Sequence, residues 1–545
     1  MASDGPVRTF RFSPTLVRRS GNVAALALFV VLAIIHTWPL ASAPAMLSRN
    51  DASDTLLHEW TLAWVAHQVV RQPLHLFDAN IFYPERLTLA YSDHLFVQSM
   101  MVAPLLWVGG SPVLAYNVAL IAGFALTGWA MCLLVRRWTG SWLAGVLSGS
   151  LAAFNAFTLT RLPQVQDQHM EFFPFALLSL DQLLNQPRLK WALRLALWFV
   201  LESLTCGYVL VFAFLSLLVA TASRPTEWLG RRFKTIGLAF LVASGTASAL
   251  LLPFMIPYLI VSRSQGLTRP LWEVALYSAQ FSDYLATGGT LHYNLWSHNF
   301  FKADALFPGV VALSLAAVAV AAGAAAKDAR ARMTLAFGIA AFAFSFGANV
   351  SWYKLLYYGF PLMKGIRGAA RYGQFFLISV AILAGFGLVV IQRRVRRGAL
   401  ALSLALIAVA NLEALRAPVH YSRFEPIAPV YAELRRTSNA VVACFPFYGG
   451  GSIFENTRYM LASTRFWKPL LNGYSGFAPV SFYDHLVELS GFPDRRAIDF
   501  LRTSGVTHVV VEGNMMAPAR LAEIPNYPEL SLWRTGDNVR IYLLR

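Results

Sequence analysis

Charge is scarce in this sequence. Of its 545 residues only 13% are Asp, Glu, Lys or Arg, whereas 57% are hydrophobic. Soluble globular domains carry about 25% charged residues, so the composition excludes that class and indicates a polytopic membrane protein. Cysteine is scarce too, and the three cysteines lack the C-x-x-C and Cys/His spacings of metal ligands, which argues against a zinc site or a disulfide framework. No Gly-rich phosphate loop, Ser/His/Asp order or metalloprotease signature occurs.

What charge there is has a pattern. The net charge is +17, and the basic residues cluster in short links between apolar runs. These links contain Arg8, Arg11, Arg18 and Arg19; Arg136 and Arg137; Arg188 and Lys190; Arg224, Arg231, Arg232 and Lys234; Lys327, Arg330 and Arg332; and Arg393, Arg394, Arg396 and Arg397. The links between them have no such excess, which is the positive-inside pattern. The basicity therefore reflects membrane topology, with contact to anionic lipid, and it indicates no nucleic-acid partner.

Eleven apolar runs are long enough, or nearly so, to form spanning helices of about 20 residues. They lie at 22–41, 113–135, 141–159, 170–185, 191–205, 208–223, 235–261, 306–325, 333–349, 373–391 and 398–415. The first run has no small-residue cleavage site and is predicted to be a retained helix with the amino terminus in the cytoplasm. A full crossing by the run 94–109 would reverse every later link, so we predict an interfacial or re-entrant helix there. The total is eleven to thirteen spans.

The carboxy-terminal part alternates β-rich runs with helix-like stretches. Strands are predicted at 440–445, 506–511 and 539–544, and helices at 428–437 and 495–504, the second ending at Gly505. The predicted fold class is therefore mainly α, a polytopic membrane protein with a small carboxy-terminal extracytoplasmic α/β domain. Its parts are a cytoplasmic amino terminus (1–21), a multi-helix membrane domain (22–417) with an outer loop at 42–112, and the α/β domain (418–545).

The first outer loop opens with the acidic motif Asp51-Ala-Ser-Asp54. In the first turn of a helix the two carboxylates would lie near one side, ahead of an amphipathic stretch suited to the membrane surface. One interpretation is structural, because Asp51 is a good N-cap and the helix dipole favours a carboxylate at Asp54. The other is catalytic, and spacing alone does not separate the two.

Other polar residues are predicted to face the same side. Arg367 and Arg371 lie four apart at the outer end of a helix, against the charge rule, and guanidinium groups suit a phosphate as well as a lipid headgroup. His169 lies in a short loop between two apolar runs and is either a surface residue or a ligand. Asp93 and His94 are candidates for substrate binding or are simply solvated.

Several motifs together resemble bacterial membrane proteins of the GT-C glycosyltransferase superfamily, in a branch with a carboxy-terminal outer domain. The resemblance covers nearly the whole chain. It is carried by Asp51-x-x-Asp54, Trp60-Thr-Leu-Ala-Trp64, Leu76-Phe-Asp-Ala-Asn-Ile-Phe-Tyr-Pro84, Ala115-Tyr-Asn117, the His169 loop and Leu471-Asn-Gly-Tyr-Ser-Gly-Phe-Ala-Pro479.

This resemblance implies hexosyl or pentosyl transfer from a polyprenyl-phosphate sugar to a glycan, lipid or protein acceptor outside the bacterial inner membrane. Asp54 or Asp51 would act as general base in an inverting reaction. Arg367, Arg371 or His169 would stabilise the leaving phosphate. Some members hold a divalent metal such as Mg or Mn at the acidic pair, and no other cofactor is implied.

The sequence departs from this family at Gln164, where relatives often have a second histidine, which weakens a two-histidine phosphate or metal site. Tyr474 and Phe477 suit stacking on sugar rings or docking on the membrane domain, although the motif around them is also ordinary turn chemistry. Two other functions stay open. A lipid or solute transporter would use intramembrane acids such as Asp181 and Glu202, and a non-catalytic envelope assembly protein would use the outer domain as a binding module.

Overall fold

The structure is a computed structural model that describes residues 14–49, 53–302 and 304–545, and Asp51 lies outside the described residues. Every predicted apolar run contains a helix. The helices of the membrane domain are α1 (Pro14–His36), α2 (Ser53–Arg71), α3 (Phe96–Trp107), α4 (Pro112–Thr139), α5 (Trp142–Ala153), α6 (Ala156–Thr160), α7 (Phe172–Asn185), α8 (Leu189–Ser203), α9 (Gly207–Ala222), α10 (Pro225–Trp228), α11 (Phe233–Ser264), α12 (Leu271–Leu276), α13 (Thr290–Leu295), α14 (Val310–Ala321), α15 (Ala324–Lys327), α16 (Ala329–Ser345), α17 (Tyr353–Gly359), α18 (Gly373–Arg394) and α19 (Ala399–Ala414).

Helix α18 is largely buried inside this bundle and packs against α5, α14 and α16. A Cβ at Gly387 of α18 would meet the backbone of Leu315 on α14, so only glycine allows this approach, as is common where membrane helices pack closely. Four helical stretches among the described residues are long and apolar enough to cross a membrane, and five shorter apolar helices accompany them. The polytopic helical fold predicted from composition is confirmed.

The ambiguous run at 94–109 forms α3. Its 12 residues span about 18 Å, less than the roughly 30 Å hydrocarbon core of a bilayer. Pro104 lies inside the helix, and the Trp107 indole donates to the carbonyl of Ala66 on α2 (2.9 Å). The helix alone is therefore shorter than a hydrocarbon core of that thickness, and an interfacial or re-entrant position stays a prediction.

The carboxy-terminal domain contains a four-stranded sheet. Its strands are β3 (Val442–Phe445), β4 (His508–Glu512), β5 (Leu530–Gly536) and β6 (Val539–Leu544), in the order β3-β4-β6-β5, with β3 and β4 parallel and the other pairs antiparallel. Its helices are α20 (Thr457–Ser463), α21 (Val480–Leu489), α22 (Arg495–Thr503) and α23 (Pro518–Glu523). The small α/β domain is confirmed, although β5 was not predicted and the predicted helix at 428–437 is a 3-10 helix, Pro429–Arg436.

Helix α2 lies between the two domains. It packs against α3 and α4 on one side and against α20 of the carboxy-terminal domain on the other. The loop after it pairs with the same domain through the Phe82 and Tyr83 amides, which donate to the carbonyls of Asn472 and Leu470 (3.2 and 3.0 Å). A second link is the short antiparallel pairing of β1 (Leu47–Ser48) with β2 (Ser422–Arg423). The segment 56–91 and the carboxy-terminal domain therefore share one hydrophobic core.

Candidate functional site at the start of helix α2

Asp54 lies in the first turn of α2 and is half-buried. The Gln164 side-chain amide donates to Asp54 Oδ2 (2.7 Å), from a loop 110 residues further along the chain. Gln164 thus fixes the position of the predicted catalytic carboxylate. One oxygen of Asp54 is fixed by this bond, which leaves Oδ1 to accept from another group.

Tyr474 brings the carboxy-terminal domain to the same place. Its phenol lies within hydrogen-bond reach of the Ser53 and Asp54 side chains. Burial, and next the charge on Asp54, raise the pKa of Tyr474, so the phenol keeps its proton and acts as a donor. Two predicted site residues that are 420 positions apart in the sequence therefore meet at one carboxylate.

His58 follows Asp54 by four residues on the same face of α2. Its Nδ1 donates to the carbonyl of Pro163 (2.9 Å). Burial lowers the pKa of His58, although the charges of Asp54, Asp93 and Asp167 oppose this effect. A neutral ring with a proton on Nδ1 has an unprotonated Nε2, which is an acceptor beside the carboxylates. His58 is not among the predicted site residues, although its spacing of four from Asp54 is a signal in the sequence that indicates it.

Arg371 forms an ion pair with Asp167, a carboxylate that is not among the predicted site residues. Arg371 Nη1 lies 3.3 Å from Asp167 Oδ1, and Arg161 Nε lies 2.6 Å from Asp167 Oδ2. The Arg371 guanidinium also lies over the ring of Tyr208, 4.8 Å from its centroid. Two guanidiniums thus share the Asp167 carboxylate, and Arg161 also bonds Asp304 (3.1 Å).

Arg367 is a second cation of the candidate site, within electrostatic reach of Tyr474. It lies over the Tyr277 ring at 4.7 Å, and its only carboxylate contact among the described residues is a 3.8 Å approach to Glu273. Its charge reaches Tyr474 and opposes the rise in that residue's pKa, after the larger effects of burial, Asp54 and Ser53. Arg269 donates to the carbonyl of Gly476 (2.7 Å) and so ties the segment before α12 to the Tyr474 loop.

Asp93 and His94 have different surroundings although they are adjacent. Asp93 accepts from the amide of Gly207 (2.8 Å), and its charge reaches both His58 and Arg371. The ring of His94 is buried among aromatic side chains, and its Nδ1 accepts from the amide of Phe96 at the start of α3 (3.1 Å). Burial lowers the pKa of His94 to about 4. His94 therefore packs in an aromatic cluster, whereas Asp93 contributes a negative charge near His58 and Arg371.

His169 is not a surface residue, which was one of the two interpretations of its loop. The residue is fully buried, with Nδ1 bonded to the Glu171 carboxylate (2.9 Å) and Nε2 to the carbonyl of Ala119 (3.1 Å). The loop that carries it folds inward against α4, where Gly123 leaves room for the ring. Both ring nitrogens are engaged, so neither is free for a phosphate in this geometry.

Asp181 and Glu202, the acids that a transporter would use, form ion pairs and hydrogen bonds within the helix bundle. Asp181 pairs with Arg224 (2.7 Å) and Arg330 (3.0 Å) from two other segments of the bundle. Glu202 accepts from the amides of Phe172 and Phe173 at the start of α7 (both 3.0 Å). These contacts neutralise a buried charge and satisfy helix-end donors.

The described residues contain no group of three or more His, Cys, Asp or Glu side chains placed to hold a metal ion. In this part of the chain the partners of Asp54 are hydrogen-bond donors, the Gln164 amide and the Tyr474 phenol, and not further metal-binding side chains. Asp51, the other acid of the predicted pair, lies outside the described residues.

Comparison with solved structures shows which fold this is. Arabinofuranosyltransferase AftD from Mycobacteria is similar over 96% of this chain and 41% of its own, with a TM-score of 0.59 and 14% identity. Oligosaccharyltransferase AglB from Archaeoglobus fulgidus, in complex with an inhibitory peptide and a dolichol-phosphate, is similar over 91% of this chain and 70% of its own, with a TM-score of 0.53 and 11% identity. The chain has a GT-C-like fold.

At these identities the likeness concerns the fold. The chain spans less than half the length of AftD and about two thirds of that of AglB. No protein-family model and no curated protein matches the sequence. In this chain the segment that follows α1 packs against the carboxy-terminal domain, and this packing brings Asp54 and Tyr474 close together.

Proposed function

We propose that this protein is a membrane glycosyltransferase that moves a sugar from a polyprenyl-phosphate donor to an acceptor hydroxyl. The observation that carries the proposal is the convergence of Gln164 and Tyr474 on Asp54, with Arg367 within electrostatic reach of Tyr474. Asp167, the carboxylate partner of Arg371, acts on His58 together with Asp54. The GT-C-like fold supports it, as does the dolichol-phosphate bound to AglB.

In this reaction Asp54 is the general base. Its Oδ1 accepts the proton of the acceptor hydroxyl while that oxygen forms a bond to the anomeric carbon. The bond from the anomeric carbon to the phosphate oxygen breaks at the same time, and its electron pair leaves with the lipid phosphate, which inverts the configuration. Gln164 and Tyr474 orient the carboxylate through hydrogen bonds to it.

The leaving phosphate gains negative charge, so groups that bind it more strongly in the transition state accelerate the reaction. Arg371 and Arg367 suit this role because each now contacts its carboxylate at a long distance, 3.3 and 3.8 Å. A bidentate phosphate contact would be the stronger partner for either guanidinium. We assign the site to the outer side of a bacterial inner membrane, with the amino terminus in the cytoplasm, on the distribution of the basic links.

The test is the variant Asp54→Asn, which keeps the size of the side chain and removes the base. We expect transfer of label from polyprenyl-phosphate sugars, assayed in membranes with a panel of donors, to fall by about 100-fold or more, the contribution typical of a positioned general base. Asp484→Asn, at an exposed carboxylate of α21, is the matched control. Protein level and thermal stability of both variants should equal those of the wild type.

Undiminished transfer by Asp54→Asn and also by Asp51→Asn would overturn the catalytic assignment. Transfer lost in Asp51→Asn alone would move the base to the other acid of the motif. A donor that labels an acceptor in wild-type membranes identifies both the reaction and the sugar.

A further inference from the structure

A groove of about 670 Å³ lies at the opposite end of α2 from Asp54. It is bounded by the last turns of α2, by the loop at 78–85 and by the segment 464–469 that follows α20. His67 lies 13 residues after Asp54 on the same helix, which at 1.5 Å per residue separates the groove from Asp54 by roughly 20 Å. The groove is therefore a different site from the one that contains Asp54.

One wall of the groove is aromatic. Trp467 stacks on the ring of His67 with centroids 4.5 Å apart, and it meets Trp64 edge-on at 5.7 Å. The Trp64 indole nitrogen already donates to the carbonyl of Leu76 (2.9 Å). Trp64 is buried, whereas Trp467 is half-buried and lines the groove, so the Trp467 ring offers the type of surface on which sugar rings pack.

The backbone holds Trp467 in an unfavourable conformation. Its φ is +53°, in the left-handed region that bulky residues rarely adopt. The Trp467 amide donates to the carbonyl of Ser463 (2.7 Å), and the Asn80 side chain donates to the carbonyl of Lys468 (3.0 Å). Bonds on both sides of the residue thus fix the turn. Backbone strain that the surroundings enforce is concentrated at functional sites.

Four cations line the same groove: Arg71, Arg435, Arg465 and Lys468. Within the described residues none of them forms an ion pair with a carboxylate, whereas Arg458, Arg495 and Arg496 of the same outer domain all do. The two acids in the groove have other partners. Asp78 accepts from His75, Arg86 and the Leu87 amide, and Glu85 accepts from Ser481 (2.6 Å).

Four cations and two carboxylates line the groove, so its formal net charge is positive. Burial, followed by the charges of Arg71 and Arg435, lowers the pKa of His67 to about 4. A negative group in the groove would relieve the repulsion among these cations. Asn80 Oδ1, which is buried in the same wall, has no hydrogen-bond partner in the described part of the chain.

We propose that this groove is a second, non-catalytic site that binds an anionic oligosaccharide, whose sugar rings pack on Trp467 and whose carboxylate or phosphate groups meet the four cations. This inference rests on the proposed function in one respect only: if the protein is a glycosyltransferase, the glycan bound in the groove is the acceptor. Binding itself is independent of that role.

The experiment measures binding to the full-length protein in detergent by calorimetry. The probes are tetragalacturonic acid and a phosphorylated pentamannoside, and maltotetraose is the neutral match. We expect saturable binding of at least one acidic probe, at least tenfold tighter than that of maltotetraose and weaker at high salt. The double variant Arg465→Glu/Lys468→Glu should weaken it at least tenfold, whereas Arg502→Glu, an exposed cation on α22, should not.

Trp467→Gly removes the ring while glycine tolerates the left-handed backbone, so it should weaken binding without unfolding the protein. Asp54→Asn should bind as the wild type does. Failure of both acidic probes, or equal binding by the charge-reversal variant, would overturn the inference. Normal binding together with undiminished transfer by both Asp54→Asn and Asp51→Asn would instead overturn the catalytic assignment alone, so the two failures are distinguishable.

Discussion

The two ends of α2 differ in whether the charged side chains near them have partners within the protein. At its start the polar groups have partners within the chain: Asp54 is held by Gln164 and Tyr474, and Asp167 is shared by two arginines. At its end the four cations of the groove have no carboxylate partner among the described residues. The first arrangement fixes the geometry of a carboxylate. The second leaves charge available to a ligand.

This difference matches what the two proposed roles require. A general base works best when its position is fixed before the substrate arrives, because no reorganisation is then needed during the reaction. A binding groove gains affinity from charges that find their first strong partner in the ligand. The contrast therefore predicts that changes at the start of α2 alter rate, whereas changes at its end alter affinity.

The largest effect should come from a change in the partner of Asp54. Gln164→Glu places a second carboxylate at hydrogen-bond distance, and two carboxylates so close share one proton. The base is then blocked at neutral pH, so we expect transfer at pH 7 to fall by about 100-fold and to recover in part at alkaline pH. The pH profile of transfer measures this shift. Gln186→Glu, at an exposed position after α7, should leave the profile unchanged, and an unshifted Gln164→Glu profile would contradict the assigned contact.

Most of the helical architecture could be predicted because an apolar run of about 20 residues flanked by basic links is a local signal. Strand β5 was missed because its residues alternate between half-buried and exposed, and only Leu530 is fully buried. The turn after it carried a signal, since Asp537 and Asn538 both have positive φ in a two-residue hairpin. The helix end at Gly505 was predicted correctly, and its φ is +75°.

The candidate site was predictable only in part. Asp54, Arg371 and Tyr474 were chosen by residue type and expected side of the membrane, but their convergence depends on how distant loops fold. The partners Gln164 and Asp167 belong to one loop that folds inward, and the same folding buries His169. No local pattern tells whether a polar loop turns toward water or toward the core, because tertiary packing decides it.

A smaller effect is expected from the middle of α2, which belongs to neither site. Glu59 is fully buried, and burial raises its pKa from 4.5 to about 8, against the opposing hydrogen bond from Ser48. Between pH 4.5 and about 8 the folded protein therefore holds a proton that the unfolded chain has lost. Stability should fall as pH rises through this window, by up to about 1.4 kcal/mol per pH unit.

Glu59→Gln should flatten that dependence, and it should leave glycan binding unchanged. Thermal unfolding midpoints in detergent from pH 5 to pH 8, at one scan rate, measure it. Glu523→Gln, at an exposed carboxylate of α23, should keep the wild-type slope. A Glu59→Gln variant with the same slope as the wild type would show that Glu59 is not the group that loses its proton.

The smallest effect concerns the acid that borders the groove. Burial alone would raise the pKa of Asp78, but hydrogen bonds from His75, Leu87 and Arg86 lower it overall, so the side chain is negative and repels an anionic ligand. Asp78→Asn keeps an oxygen for the Leu87 amide and removes the charge. Because a partly exposed charge contributes a few tenths of a kcal/mol, we expect acidic oligosaccharides to bind roughly two- to threefold more tightly. Asp499→Asn, an exposed acid on α22, should change nothing. Weaker binding by Asp78→Asn would mean that the carboxylate supports the ligand, and the groove would then resemble the paired arrangement at the start of α2.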